Sequence, residues 1–124
     1  VKISKQKIVE VASPEHTRSM CFIDDAIEMT IKACENNSTK KEILNIGNQN
    51  QETSIINLVK VIADILDKKI EIKKLSDTEG SPERRCPDIS KIVNLTGYSP
   101  KVNIKEGLKK TYDWYKDKLS NKYE

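Results

Sequence analysis

Hydrophobic and polar positions alternate with a period of two in "KIVEV" (7–11), which predicts a strand. "SPEHT" (13–17) breaks it with a Ser-Pro turn, and "RSMCF" (18–22) reads as a short extended run. The period then lengthens. Ile23, Ile27, Thr30, Ile31 and Cys34 recur at helical spacing in "IDDAIEMTIKACENN", with "NNS" as the stop. Asp24 or Asp25 is placed as N-cap, and Glu28, three after Asp25, completes a capping-box pattern. "EILNIGN" (42–48) predicts a compact strand running into Gly47.

"TSIINLVKVIADILDKK" (53–69) is the strongest helical pattern. Ile55, Leu58, Val59, Ile62, Ile65 and Leu66 make a wide apolar stripe, Thr53 or Ser54 offers the cap, and the stripe is expected to pack against a sheet. "KIEIKKL" (69–75) alternates as a half-exposed strand, and "SDTEGSPE" (76–83) is a loop of turn formers. "DISKIVNLTG" (88–97) predicts a short helix capped by Asp88 and stopped by Gly97. Asn103 and Glu106 repeat the capping-box pattern before a last helix, 104–119, with Ile104, Leu108, Tyr112, Tyr115 and Leu119 on one face. Short strands alternating with four helices favour an α/β or α+β fold. No linker or repeat divides residues 1–124, so they read as a single unit.

Composition narrows the function classes. An apolar share of 36% and a mean hydropathy of -0.62 describe a highly charged chain, and no stretch approaches the ~20 apolar residues of a membrane helix. "VKISKQKIVE" carries no signal-peptide apolar region and no initiator methionine; the start is expected to be processed or cut from something longer. The net charge of +3 comes from interleaved lysines and acids with few aromatics, which argues against a nucleic-acid partner. Three cysteines far apart and one histidine argue against a metal site. Cys21 and Cys34 are expected to be buried thiols, Cys86 follows two arginines, and reduced thiols without a secretion signal point to the cytoplasm.

Arginine is scarce: Arg18, Arg84 and Arg85 stand against nineteen lysines. A guanidinium grips a phosphate or carboxylate in bidentate fashion, which an ammonium does not. Arg18 opens an extended run that leads into a helix, and Arg84 and Arg85 end a loop just before another. Spacing alone leaves two readings: a diphosphate clamp if they converge, or ion pairs with nearby acids. No catalytic constellation stands out, and Gly47, Gly80, Gly97 and Gly107 are too scattered for a glycine-rich phosphate turn.

"TRSMCFIDDAIEM", "ILNIGNQNQETSIINLVKVIADIL" and "RRCPDISKIVNLTGYSPKVNIKEGLKKTYDWY" resemble, in this order, the C-terminal part of NAD-dependent nucleotide-sugar epimerases, dehydratases and decarboxylases, the extended short-chain dehydrogenases. The resemblance covers about residues 7 to 117. It implies that Arg18 and Arg85, with Arg84 as the alternative to the latter, reach the diphosphate of a nucleoside-diphosphate sugar, and that Asp88 is structural. His16 stands where the family has a polar residue before "TR"; it is a candidate base or ribose contact, or else an exposed turn histidine. The family's NAD turn and Tyr-x-x-x-Lys catalytic pair lie upstream of these motifs and are absent from this chain. The resemblance therefore implies a substrate-binding portion with no catalytic residue of its own, completed by an NAD-binding Rossmann part, and possible homodimers of the whole protein. The rival expectations are a stand-alone nucleotide-binding module and a structural or assembly domain.

Overall fold

The computed structural model describes residues 7–120. Five short strands and four helices alternate, as an α/β fold requires: β1 (Ile8–Val11), β2 (Thr17–Ser19), α1 (Ile23–Glu35), β3 (Glu52–Ser54), α2 (Ile55–Ile65), β4 (Glu71–Lys74), β5 (Arg84–Arg85), α3 (Ser90–Thr96) and α4 (Ile104–Ser120). The strands form two small sheets. β1 runs parallel to β4, with Val9 opposite Ile72 and Val11 opposite Lys74. β2 is the centre of the other, antiparallel to β3 and parallel to β5.

The alternation in 7–11 does what its period demands: Val9 and Val11 are buried while Ile8 and Glu10 face out. Glu10 is matched across the ladder by Lys73, 2.7 Å away. Ser13, at the turn that follows, adopts φ 48 and accepts a hydrogen bond from the Thr78 amide through Oγ, so the Ser-Pro turn is tied to the strand-end loop beside it. A compact core lies between α1 and α3. Met29, Ile89 and Ile92 are buried there, with Ala33, Leu44, Val93 and Tyr98 packed around them.

Several boundaries hold for the reasons the residues suggest. Ser54 caps α2 by accepting from the Asn57 amide, and Asn103 caps α4 by accepting from the Glu106 amide. Asp88 accepts from the Ser90 amide at 2.8 Å, and Gly97, at φ 71, closes α3 in the left-handed conformation that glycine adopts without strain.

Other expectations need correction. Neither Asp24 nor Asp25 caps α1: the cap position is Phe22, with no side-chain bond, because Asp25 is turned inward to a different task. Residues 42–46 form no ladder, since no described strand lies beside them. α2 ends at Ile65 rather than Lys69, where Asp67 turns left-handed at φ 49, and it lies against both α4 and β3. Its apolar stripe is accordingly half-buried, with only Ala63 fully covered. Cys34 is exposed, on the outer side of α1, and Cys21 is half-buried. Tyr112 and Tyr115 on α4 are exposed, while the side chain of Leu119 and the start "VKISKQ" lie outside the described residues.

Candidate functional site

The site is built on the three-stranded sheet. β2 carries Thr17 and Arg18, and β5 beside it carries Arg84 and Arg85 in matching register: Thr17 opposite Arg84, Arg18 opposite Arg85. Successive residues of a strand face opposite sides, and residues paired across a parallel ladder face the same side. The adjacent arginines of "RRCPD" therefore serve two different faces.

On one face Arg84 is fully engaged. Its Nε and Nη2 donate to Glu52 at 2.9 and 2.8 Å, a bidentate pair, and Thr17 Oγ1 donates to the same carboxylate at 2.5 Å. Those bonds from Arg84 and Thr17 hold the Glu52 carboxyl below its usual range. β3 supplies Glu52 because it pairs antiparallel to β2. On this side Arg84, Cys86, Pro87 and Asp88 border a cleft of about 320 Å³ with Gln49 and Asn50. Gln49 Oε1 accepts from the Ile89 amide, so the cleft's floor is fixed to the start of α3.

On the other face the two guanidiniums of Arg18 and Arg85 share a side of the sheet. Arg18 is oriented without being neutralised: Nη1 donates to the Thr17 carbonyl at 2.6 Å and Nη2 to Ser81 Oγ at 2.9 Å. Arg85 is exposed, and its side chain makes no hydrogen bond or ion pair among the described residues. Like charges directly across a ladder are unfavourable without a counter-charge. Two cations with free donors, one of them pre-positioned, can receive an anion with several oxygens.

His16 is placed differently from either expectation's usual setting. It is buried, 6% exposed, in the turn between β1 and β2. Its amide donates to the Ser13 carbonyl, its carbonyl accepts from the Ile55 amide, and Nε2 stands 3.6 Å from Asp77. Nδ1 has no partner. The exposed turn histidine is thus corrected: the tight Ser-Pro turn folds the ring under the chain.

A second polar centre went unread in the sequence. Asp25, 3% exposed, accepts from Tyr98 Oη at 2.8 Å and from the amides of Lys101 and Val102 at 3.0 and 2.8 Å. Burial alone would push its carboxyl up; the two amides, the Tyr98 hydroxyl and the Lys101 charge outweigh it and hold it below the usual range. Tyr98 is pushed up to about 12 by burial and by the carboxylate it serves. This centre pins the 98–102 loop to α1. Glu52 was likewise missed: it stands in a polar run, "NQNQETS", with nothing in its spacing to single it out.

No protein-family model matches the chain. It is similar to UDP-glucuronic acid decarboxylase 3 of Arabidopsis thaliana, 37% identical over 92 residues, which are 74% of this chain and 26% of that protein. UDP-glucuronic acid decarboxylase 1 of Xenopus tropicalis is 31% identical over 116 residues, 94% of this chain and 27% of its own length. Among solved structures, a variant of the UDP-glucuronic acid 4-epimerase of Bacillus cereus, bound to a UDP-4-deoxy-4-fluoro-glucuronic acid and NAD, superposes with a TM-score of 0.84 at 30% identity, covering 94% of this chain and 37% of that one. The chain spans about a quarter of the curated relatives it matches. It is homologous to part of the extended short-chain dehydrogenases that act on nucleotide sugars.

Proposed function

We propose that this chain is the substrate-holding portion of an NAD-dependent enzyme that epimerises, dehydrates or decarboxylates a nucleoside-diphosphate sugar. Arg18 and Arg85 grip the diphosphate. The observation that carries the reading is the register of β2 and β5, which sets Arg18 opposite Arg85 while leaving both without a carboxylate partner among the described residues. Similarity to proteins that handle UDP-glucuronic acid supports it from a separate direction.

The division of labour follows from the geometry. Ser81 and the Thr17 carbonyl hold Arg18 in place before substrate arrives, so less side-chain entropy is lost on binding. Arg85, free and exposed, closes on the second phosphate. Arg84 stays with Glu52 and stiffens the strand that carries Arg85. Both arginines act by fixing the sugar's position, which lowers the barrier through orientation rather than proton transfer.

NAD is assigned to another part of the enzyme, because the chain's glycines form no phosphate-cradling turn. Gly97 ends a helix, Gly107 lies within one, Gly80 sits in a loop and Gly47 is wedged against Pro87; none opens a helix after a strand. When bound, NAD supplies the hydride acceptor, and it is held by a part of the enzyme that this chain does not provide.

The test is titration of UDP-glucuronic acid into the natural-length protein and its variants by calorimetry. Arg85→Ala is expected to weaken binding roughly 10- to 100-fold, the range for losing a hydrogen-bonded charge contact, and Arg85→Lys to recover only part of it. Unchanged affinity in Arg85→Ala sinks the clamp.

A further inference from the structure

The loop "SDTEGSPE" (76–83) lies between β4 and β5 and belongs to neither strand. Such a loop is fixed only by what it touches. Its first half is tied to the turn between β1 and β2. The Ser13 amide donates to the Ser76 carbonyl at 3.4 Å, Ser13 Oγ accepts from the Thr78 amide at 2.9 Å, and His16 Nε2 stands 3.6 Å from Asp77 Oδ1. Its second half is tied to β2. The Thr17 amide donates to the Glu83 carbonyl at 2.8 Å, and Arg18 Nη2 donates to Ser81 Oγ at 2.9 Å. The Ser81 amide donates to the Thr78 carbonyl at 3.1 Å, which joins the two halves across Gly80, itself at φ 73.

Of these ties, only the one at His16 can change its charge near neutral pH, because imidazole is the side chain that ordinarily does so between about pH 5 and 8. The contact is too long for a normal hydrogen bond and attracts strongly only when the ring carries a proton. The His16 backbone is fixed, its amide donating to the Ser13 carbonyl and its carbonyl accepting from the Ile55 amide, so a change at the ring falls on the loop. The other charges around the turn are engaged or turned to solvent. Glu15 is paired with Lys74 of β4 at 2.7 Å and feels Lys60 of α2, and Glu52 of β3 is held by Arg84 and Thr17. Glu79 and Glu83 of the loop are exposed. Among the described residues, Asp77 alone faces the ring within ion-pair distance.

We infer that His16 is a positioning residue for Arg18: through Asp77 it holds the loop that sets Ser81 against the guanidinium, and its protonation tightens that hold. With His16 charged, Asp77 is drawn onto the turn beside the Ser13–Thr78 bond, and Ser81 stays on Arg18. With His16 neutral the first half of the loop loosens. Arg18 then has to be ordered when the anion arrives, at a cost in side-chain entropy. Affinity for the diphosphate therefore falls as pH rises across the imidazole range, although the phosphates and carboxylate of the ligand keep their charge there. The inference rests on the proposed function for what Arg18 grips, and adds the group that governs how firmly Arg18 is held.

The experiment uses the natural-length protein at about pH 5.5 and about pH 8, on either side of the imidazole range. Calorimetric titration of UDP-glucuronic acid is paired with amide exchange of residues 76–83, corrected for the intrinsic pH dependence of exchange. Binding is expected to be about two- to fivefold tighter at the lower pH, which is what an ion pair with one exposed partner contributes. The Thr78 and Ser81 amides should be more protected there by a similar factor. Asp77→Asn, a change at a position that is 69% exposed, should abolish both differences and leave the weaker, higher-pH values. Asp77→Glu should restore both in part. Affinity and protection that do not change with pH in the unsubstituted protein overturn the inference, and so does a pH difference that persists in Asp77→Asn. The clamp fails by a different result. Affinity that Arg85→Ala leaves unchanged, or no binding at all, while protection still follows pH removes the grip on the diphosphate and supports the hold of His16 on the loop. Binding that Arg85→Ala weakens, with protection indifferent to pH, removes the role of His16 alone.

Discussion

Around Asp25, a hydroxyl and two amides of the chain itself converge on one buried carboxylate; Arg18 and Arg85, paired in register, share one side of a sheet with donors to spare. Both are charged centres made by residues distant in sequence. They differ in whether the protein completes them. A buried charge left unmatched costs more than the fold can readily offset, so Asp25 is satisfied within the chain and its role is to hold the 98–102 loop on α1. An exposed cation tolerates an open coordination shell because water fills it, and that openness is what a ligand exploits. Unused donors, rather than charge as such, distinguish the proposed site from a strut.

The largest effect expected from breaking this contrast is at Asp25. Asp25→Ala strands the Tyr98 hydroxyl and the two loop amides, and is expected to cost about 3 kcal/mol in urea unfolding. Affinity for UDP-glucuronic acid in the fraction that remains folded should stay the same. If Asp25→Ala instead lowers affinity without lowering stability, the two centres have been assigned the wrong way round.

Arg85→Ala is the mirror experiment. Its proposed loss of 10- to 100-fold in affinity, about 1.4–2.7 kcal/mol, should come with a change in unfolding stability of no more than about 0.5 kcal/mol, as for surface positions generally. A larger fall in stability would mark Arg85 as a structural residue.

Gly47→Ala tests how the segment ending at Gly47 is held. The added methyl meets the rigid Pro87 ring, so a loss of about 1–3 kcal/mol is expected by thermal unfolding. Unchanged stability would mean that this segment shifts freely off the 86–88 stretch.

A pH series sharpens the Asp25 side. The folded-state value of Tyr98 is raised, to about 12 from 10.0, so its contribution is fully present below pH 10 and is lost as pH rises through about 12. Asp25 has a lowered value; its contribution is present above the ordinary carboxylate range and lost as pH falls through the folded value. Tyr98→Phe should flatten the alkaline limb and cost about 1–2 kcal/mol at neutral pH. An alkaline limb that persists in Tyr98→Phe would assign it to another group.

Smallest of all is Arg84→Met. The Glu52 pair is largely exposed on the arginine's side, where ion pairs contribute little, so stability should barely move. Binding should fall less than in Arg85→Ala, because Arg84 is already engaged. A fall as large as that of Arg85→Ala would transfer the clamp to the other face of the sheet.

Much of the fold was legible because local rules coincide with the global outcome. Period-two and helical patterns located all four helices and β1 and β4, and Ser54, Asn103, Asp88 and Gly97 act at helix ends as their side chains or backbone freedom suggest. The misreadings share a cause. Asp25 has the chemistry of a cap and the position of one, but its partners lie more than seventy residues away. "EILNI" has the pattern of a strand, and a strand exists only with a ladder beside it. His16 looked like a turn residue because turns are usually at the surface, and this one folds inward.

The candidate site divides along the same line. Residue type alone singled out Arg18, Arg84 and Arg85, because a guanidinium's fork geometry is a property of the side chain and arginine is scarce here. Which of the adjacent pair is free was beyond the sequence. That was decided by the parallel register of β2 and β5 and by β3 bringing Glu52 alongside, since alternation sends Arg84 to a carboxylate and Arg85 to the opposite face. Chemistry resides in single residues and can be read one at a time; partnership depends on long-range pairing, which only the assembled sheet supplies.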